Sequence, residues 1–325
     1  MDNEVMLKNF KDMLGFYGEN ISAAKYDAII NANKPAGRTL RRRFGSWLKA
    51  KNLALGKEEP QQPKILLLDI ETAPMEVLVW GLYKQHIPYE NVLKEWSILT
   101  WAAKWMFESS VMHKSVSPKD AANRKDAKVL GELWQLLDEA DIIIGHNVRS
   151  FDLRKINARL HLAGYSPPSP YQIIDTLKEA QKVMSFSSYS LDYLNKVIGN
   201  NRKIKTGYGL WKRCIGIDND SSDQYKALTT MSTYNQQDVN ITEELYLSLR
   251  PWIKTHPNLG LYYSDMTYSR CRNCGGVNLT PVGEYYTPMS RYKAIRCGNC
   301  GAIGRERISD LTKEERANLV AAAVR

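Results

Sequence analysis

The sequence predicts an α/β protein: a mixed sheet flanked by helices, set between a small N-terminal helical domain and a cysteine-bearing C-terminal module. Three observations predict this. Short apolar segments at Ile65–Leu68, Asp141–Ile144 and Tyr171–Ile174 read as strands and alternate with segments of helical period, the pattern of a layered α/β domain. From Lys34 to Lys57 there are eight Lys or Arg residues and no Asp or Glu, so the N-terminal stretch differs in character from the rest of the chain. Four of the five cysteines form two C-x2-C pairs, Cys271/Cys274 and Cys297/Cys300.

The bulk properties bound the function classes. At 325 residues, 43% hydrophobic and 25% charged, the chain buries one large core with small satellites, and nothing predicts wholesale disorder. No apolar run approaches a membrane span, and the start MDNEVMLKNF lacks the basic and apolar regions of a signal peptide, so a cytoplasmic protein without a membrane partner is expected. The formal charge of +10 points to an anionic partner, nucleic acid first. Cys214 stands alone and reads as a small packed residue.

At the N-terminus, Val5, Met6, Phe10, Met13 and Leu14 are spaced for one apolar helical face, broken at Gly18–Asn20 before a second short helix. Thr39 is placed to cap a further helix with Leu40, Phe44, Trp47 and Leu48 on its buried face and Arg41, Arg42, Arg43 and Lys49 fanned outside. An Arg-rich helix start followed by FGSW, here Phe44–Trp47, resembles the homing-endonuclease-associated repeat, a helix-turn-helix-like DNA-binding unit. The resemblance implies a DNA-binding module over 1–57; a solvated basic face with no ligand is the alternative. Residues 58–63, EEPQQP, read as a linker.

The large domain is expected over 64–258 and is organised around KILLLDIET. Its apolar run stops at Asp69, Ile70 and Glu71, and alternation sends Asp69 and Glu71 to the same side. Two carboxylates at a buried strand end repel unless a cation sits between them, and a hard divalent ion with oxygen ligands serves; a solvated strand end is the bland alternative. Trp96–Met106 and Ser110–Val116 predict an antiparallel hairpin. Between strand and hairpin lie Trp80, Tyr83, His86 and Tyr89, expected to cover the core in preference to stacking on bases. Lys125–Ala140 has the apolar period of an amphipathic helix and feeds the strand Asp141–Ile144, whose turn GHNVRSFD puts Asn147 near a helix start and Asp152 in its first turn or two. Leu191–Ile198 is helical, and Lys203–Trp211 is a basic, glycine-bearing loop near the substrate. The last helix runs from about 225 to 249 before Pro251 and carries Tyr234 and Asp238 on one face, four residues apart.

Four acids now stand in order, with a tyrosine before the last. The chain resembles the DEDD 3′–5′ exonucleases of the ribonuclease H-like fold, nearest to the proofreading domains of family B polymerases and stand-alone phage exonucleases. The carrying motifs are DIET (Asp69–Thr72), N-x3-F-D (Asn147–Asp152) and Y-x3-D (Tyr234–Asp238); Tyr234 selects the tyrosine subclass, since the histidine variant would need His at Thr233. The resemblance implies two Mg²⁺ or Mn²⁺ ions, with Asp69 bridging both, Glu71 and Asp238 on the ion that activates water, Asp152 on the second, and Tyr234 orienting the water. Glu71 is also implied at the terminal 3′-hydroxyl. His146 reads as structural, because hard cations prefer oxygen.

The cysteine pairs lie 22 residues apart and match a structural zinc ribbon over 259–310. Gly275 and Gly301 follow the knuckles and permit the turns. Arg270, Arg272, Arg291, Lys293 and Arg296 with Tyr285, Tyr286 and Tyr292 suit nucleic acid, with a protein contact the equal alternative. Residues 311–325 form a short C-terminal helix.

The expectation is a two-metal 3′–5′ exonuclease acting on DNA, single-stranded or with frayed 3′ ends, in a bacterial or phage-infected cell, alongside a replication or recombination protein. An exoribonuclease, a structure-specific DNA nuclease and a non-catalytic nucleic-acid-binding factor are the alternatives. Nucleic-acid contacts are assigned to Arg38, Arg41, Arg42, Arg43, Lys49, Asn147, Lys205 and Arg291.

Overall fold

In the computed structural model the chain divides into two units, Met1–Gln62 with Tyr262–Met266, and Pro63–Leu261 with Thr267–Arg325. Residues 2–323 are described, except 19–20, 22, 31–34, 45–46, 57–61, 85, 218–220, 264–266 and 322.

The first unit holds α1 (Asn3–Tyr17), α2 (Ala23–Ile29), α3 (Gly37–Phe44) and α4 (Trp47–Leu55). Asp2 caps α1, accepting from Asn3 N, and Gly18 ends it at φ +89°. The apolar stripe buries Met6, Phe10 and Leu14 against Tyr26, Leu40 and Phe44, while Val5 faces outward. Phe10 meets Tyr26 edge-on at 5.1 Å. Two expectations are corrected. The Thr39 helix starts two residues earlier, at Gly37, where Asp27 Oδ1 accepts from Gly37 N at 2.5 Å, so Asp27 takes the capping role expected of Thr39. A Cβ at position 37 would lie 3.0 Å from that carboxylate, so glycine gives the cap its room. Trp47 and Leu48 belong to a separate helix rather than continuing α3.

The second unit is built on β1 (Ile65–Thr72), followed by β2 (Glu76–Val77), β3 (Val92–Lys94), β4 (Ile98–Trp105) and β5 (Met112–Ser115). Next come α5 (Pro118–Ala122), α6 (Ala127–Glu139), β6 (Ile142–Gly145), α7 (Asp152–Leu162), β7 (Gln172–Asp175), α8 (Thr176–Val183), α9 (Leu191–Ile198), α10 (Gly209–Cys214) and α11 (Ser221–Leu249). The five-stranded sheet has the order β5-β4-β1-β6-β7. Its left half is antiparallel, as the hairpin pattern predicts, and β6 and β7 run parallel to β1, joined through α7.

Alternation along β1 separates two tasks. Leu66, Leu68 and Ile70 join a core with Trp101 and α6 residues Val129, Leu130 and Leu133, and the Trp101 indole donates to Val129 O at 2.7 Å. The opposite side carries Asp69 and Glu71 and meets α11: Lys104, paired in register with Leu67, forms a buried ion pair with Glu243. Phe107 N also donates to Glu243, at 3.0 Å, so α11 is held against the sheet by polar as well as apolar contacts.

The same unit ends in a three-stranded sheet, β8 (Leu279–Thr287), β9 (Ser290–Cys297) and β10 (Ile303–Arg305), followed by α12 (Lys313–Ala317). Thr312 and Glu315 form a reciprocal capping box on α12. Asn273 Nδ2 donates to Arg250 O at 2.7 Å and Ile253 O at 3.2 Å, satisfying carbonyls just past the end of α11. No described helix is long and apolar enough to cross a membrane.

Candidate active site and metal centre

Strand alternation and helix periodicity bring the first carboxylates together. Asp69 and Glu71 leave β1 on the side that α11 covers, and α11 presents Tyr234 and Asp238 one turn apart. Ligand oxygens of Asp69, Glu71 and Asp238 lie within 4.8 Å of one another. The β4 residues opposite the first two are Ala102 and Thr100, small enough to leave the space open.

Asp152 arrives from the neighbouring strand. It is the first residue of α7, and its Oδ1 accepts from Ile70 N at 3.0 Å, so it stands beside Asp69 without joining the mutual triad. Gly145 makes the preceding turn possible: a Cβ there would be 2.6 Å from Val148 Cβ and 2.8 Å from Leu68 O. Asn147 lies five residues ahead of α7 in the left-handed region (φ +64°), inside the turn and away from the helix start where it was expected. Asp175, to which sequence reasoning assigns no role, organises this turn by accepting from Asn147 N at 3.0 Å and Arg149 N at 3.2 Å. His146 is structural, bonded to Thr176 Oγ1 and Tyr189 O.

Three residues of the site were not singled out by sequence reasoning. Asn235 Nδ2 donates to Asp69 Oδ2 at 2.6 Å. The Trp211 ring meets Tyr234 edge-on at 6.1 Å. Lys203 was expected only as the start of a basic loop; its Nζ lies 2.6 Å from Asp238 Oδ2 and 4.6 Å from the Tyr234 ring centre. Arg202 fixes that loop through Asp192 at 2.8 Å, and Asn201 N donates to Glu244 at 3.0 Å.

Burial is the first cause lifting all four carboxyls above their ordinary range. Like charge adds to it: Asp238 acts on Asp69, and Asp69 on Glu71 and Asp152. Lys203 offsets part of the rise in Asp69, Glu71 and Asp238. Burial and Asp238 also drive the Tyr234 hydroxyl upward, so it stays neutral near pH 7. Asp238 is 1% exposed and its Oδ1 is buried without a hydrogen-bond partner. An orphaned carboxylate oxygen facing two further carboxylates suits a hard divalent cation, and the donor set fits Mg²⁺ or Mn²⁺.

The other expected contacts are dispersed. Arg38 and Arg43 are exposed on α3, and Arg43 donates to Asn3 at 2.7 Å. The side chains of Arg41, Arg42 and Lys49 lie outside the described residues, as do Gly45 and Ser46 of FGSW. Lys205 is exposed beyond Lys203, and Arg291 on β9 lies 3.6 Å from Glu284.

The cysteine centre is made locally. Gly275 N donates to Cys271 O and Gly301 N to Cys297 O, closing two matching knuckles with the glycines at φ +70° and +78°. The Cys271–Cys300 and Cys274–Cys297 sulfurs are 3.6 and 3.5 Å apart, and all four lie within 4.8 Å of one another. Tetrahedral zinc with Zn–S of roughly 2.3 Å needs sulfurs about 3.8 Å apart, so the four thiols fit that ion. Cys214 is apart from both centres, buried, with its thiol pushed up to about 12 by burial.

Residues 103–250 match the family model of the RNase_H superfamily, a stretch that contains Asp152, Tyr234 and Asp238 and begins after Asp69 and Glu71. With the mixed sheet and its flanking helices, the fold is ribonuclease H-like, and the match points to a metal-dependent nuclease acting on nucleic acid. The chain matches no curated protein.

Proposed function

We propose that the protein is a two-metal-ion 3′–5′ exonuclease that hydrolyses DNA from single-stranded or frayed 3′ ends to nucleoside monophosphates. The observation that carries this reading is the convergence of Asp69, Glu71 and Asp238 within 4.8 Å, with Tyr234 one turn before Asp238. Asp69, Glu71, Asp238 and Asp152 would hold the ions. Divalent ions bound there supply the charge that offsets the phosphate oxygens and ease the deprotonation of water.

The protein groups fix and select. Asn235 holds one oxygen of Asp69. Trp211 braces the Tyr234 ring. The Tyr234 hydroxyl, kept neutral by burial and by the nearby charge of Asp238, orients water rather than removing its proton. Beside Glu71 a cleft of about 500 Å³, walled by Pro74, Met75, Trp96, Tyr208 and Trp211 with Lys155 at its side, has the apolar walls and the cation that a terminal nucleotide needs. The basic N-terminal module and a zinc-bearing ribbon would retain the polymer between cuts.

The test is product length against time on 5′-labelled DNA and RNA of one sequence, with Mg²⁺ and then EDTA. DNA shortened one nucleotide at a time, stopped by EDTA, is expected. Degradation of RNA alone would move the substrate to RNA, and internal cuts insensitive to EDTA would overturn the reading.

A further inference from the structure

The aromatics between β1 and β4 do not cover the core. Trp80, Tyr83 and Tyr89 are 99%, 85% and 82% exposed, and His86 is exposed with them, which corrects the sequence expectation. They sit on a two-stranded arm whose base is firmly held. Leu78 N donates to Asn91 O at 2.9 Å, and Asn91 Nδ2 donates back to Leu78 O at 3.2 Å. Glu76 is clamped by Arg124 at 2.7 Å and Lys94 at 3.3 Å. A fixed base under a tip of solvated rings is the arrangement of an interaction surface.

Position and charge select the partner. Pro74 and Met75, at the root of the arm, are also a wall of the cleft beside Glu71. Arg124, which clamps the root, lines a second recess of about 550 Å³ with Lys119, Lys125, Lys128 and Arg159; Glu76, Asp120 and Asp126 pair with Arg124, Lys128 and Arg159, so Lys119 and Lys125 supply its net positive charge. Arg159 and Lys155 lie one turn apart on α7 and both approach the Trp96 ring, at 5.7 and 3.8 Å, so the basic recess and the cleft are adjoining. Positive charge at the root suits phosphates, and exposed rings at the tip suit unpaired bases.

We propose that this arm grips single-stranded nucleic acid behind the 3′ end, with Trp80, Tyr83 and Tyr89 stacking on bases while Lys119 and Lys125 take backbone phosphates. The proposal rests on the exonuclease reading for the direction of the strand. On this reading a dinucleotide is held in the cleft, short of the three rings, and a twelve-residue oligothymidylate spans both.

The experiment compares the parent with the triple variant Trp80→Ala, Tyr83→Ala, Tyr89→Ala on both substrates, together with fluorescence anisotropy of a labelled twelve-mer in EDTA. Expected are unchanged dinucleotide hydrolysis and a twelve-mer KM raised roughly 10- to 100-fold with kcat retained, since stacking contributes at each base. Equal twelve-mer KM in the two proteins would overturn the arm. If the parent hydrolyses neither substrate, the exonuclease reading fails, and the anisotropy decides the arm separately: weaker binding by the variant supports it, equal binding overturns it. A parent that sediments as a dimer and a variant that sediments as a monomer, with binding unchanged, would assign the surface to a second copy and also overturn it.

Discussion

The two ligand clusters of the second unit are built in opposite ways. The carboxylate cluster draws Asp69, Asp152 and Asp238 from three elements spread across the domain, and the sheet must exist before they meet. The cysteine cluster comes from two local knuckles and, among the described residues, its core holds three buried hydrophobic residues, Cys271, Cys297 and Ala302. In the first the fold creates the site, against the repulsion of its own charges; in the second a bound metal would complete the fold.

The contrast is tested most severely at the metal that the four thiols would hold. A structural Cys₄ site contributes on the order of 10 kcal/mol, so a strong chelator or Cys271→Ser is expected to abolish cooperative melting of the ribbon and strip zinc from the protein. Hydrolysis of short substrates should persist with Mg²⁺ restored. Its loss would show that the carboxylate site depends on the ribbon, which reaches the residue after α11 through Asn273 and Arg250 O.

The carboxylate site should behave in reverse. Asp69→Asn is expected to reduce hydrolysis by roughly 10³-fold or more, as loss of a principal charge-stabilising group does. The same change should raise the stability of the EDTA-treated protein by about 1–2 kcal/mol, because it relieves crowded like charge. A variant melting below the parent would contradict the role of repulsion.

A buried histidine beside the first cysteine knuckle, whose Arg272 Nε donates to His256 O at 2.8 Å, offers a pH handle outside the carboxylate cluster. His256 accepts from Tyr246 Oη at 2.7 Å and donates to Pro257 O at 2.7 Å, and burial holds it down to about 4. Its unfolded value is about 6.5, so between these pH values the unfolded chain takes the extra proton. The contribution is present above about 6.5 and falls as pH drops toward 4, by up to about 3 kcal/mol. The change in urea midpoint from pH 7 to pH 5 should therefore be more unfavourable in the parent than in His256→Gln, where the raised carboxyls, which act with the opposite sign, remain.

The smallest change is Tyr234→Phe. It should slow hydrolysis by about 10²-fold with the Mg²⁺ requirement intact, the cost of one positioning hydrogen bond. Equal rates in the two proteins would remove Tyr234 from the chemistry.

The sequence reveals features that local patterns encode. The apolar run that stops at Asp69, the four-residue spacing of Tyr234 and Asp238, and the paired knuckles are each visible within one element. Asn235, Trp211 and Lys203 reach the site through long-range packing and carry no local signal. Asp27 caps a helix ten residues away, which no adjacent-residue rule finds. The Trp80 arm escapes sequence reasoning because aromatic composition is the same for a core cover and an exposed surface; only its short strands of two and three residues, anchored by Arg124, decide between them.

Removal of nucleotides from a 3′ end by the carboxylate cluster is tested most directly on 5′-labelled DNA carrying either a free 3′-hydroxyl or a blocked 3′ terminus. The parent and Asp238→Asn are followed side by side in Mg²⁺. A stepwise ladder is predicted only for the parent on the free end. Equal digestion of the blocked strand, or an equal ladder from Asp238→Asn, would contradict that assignment.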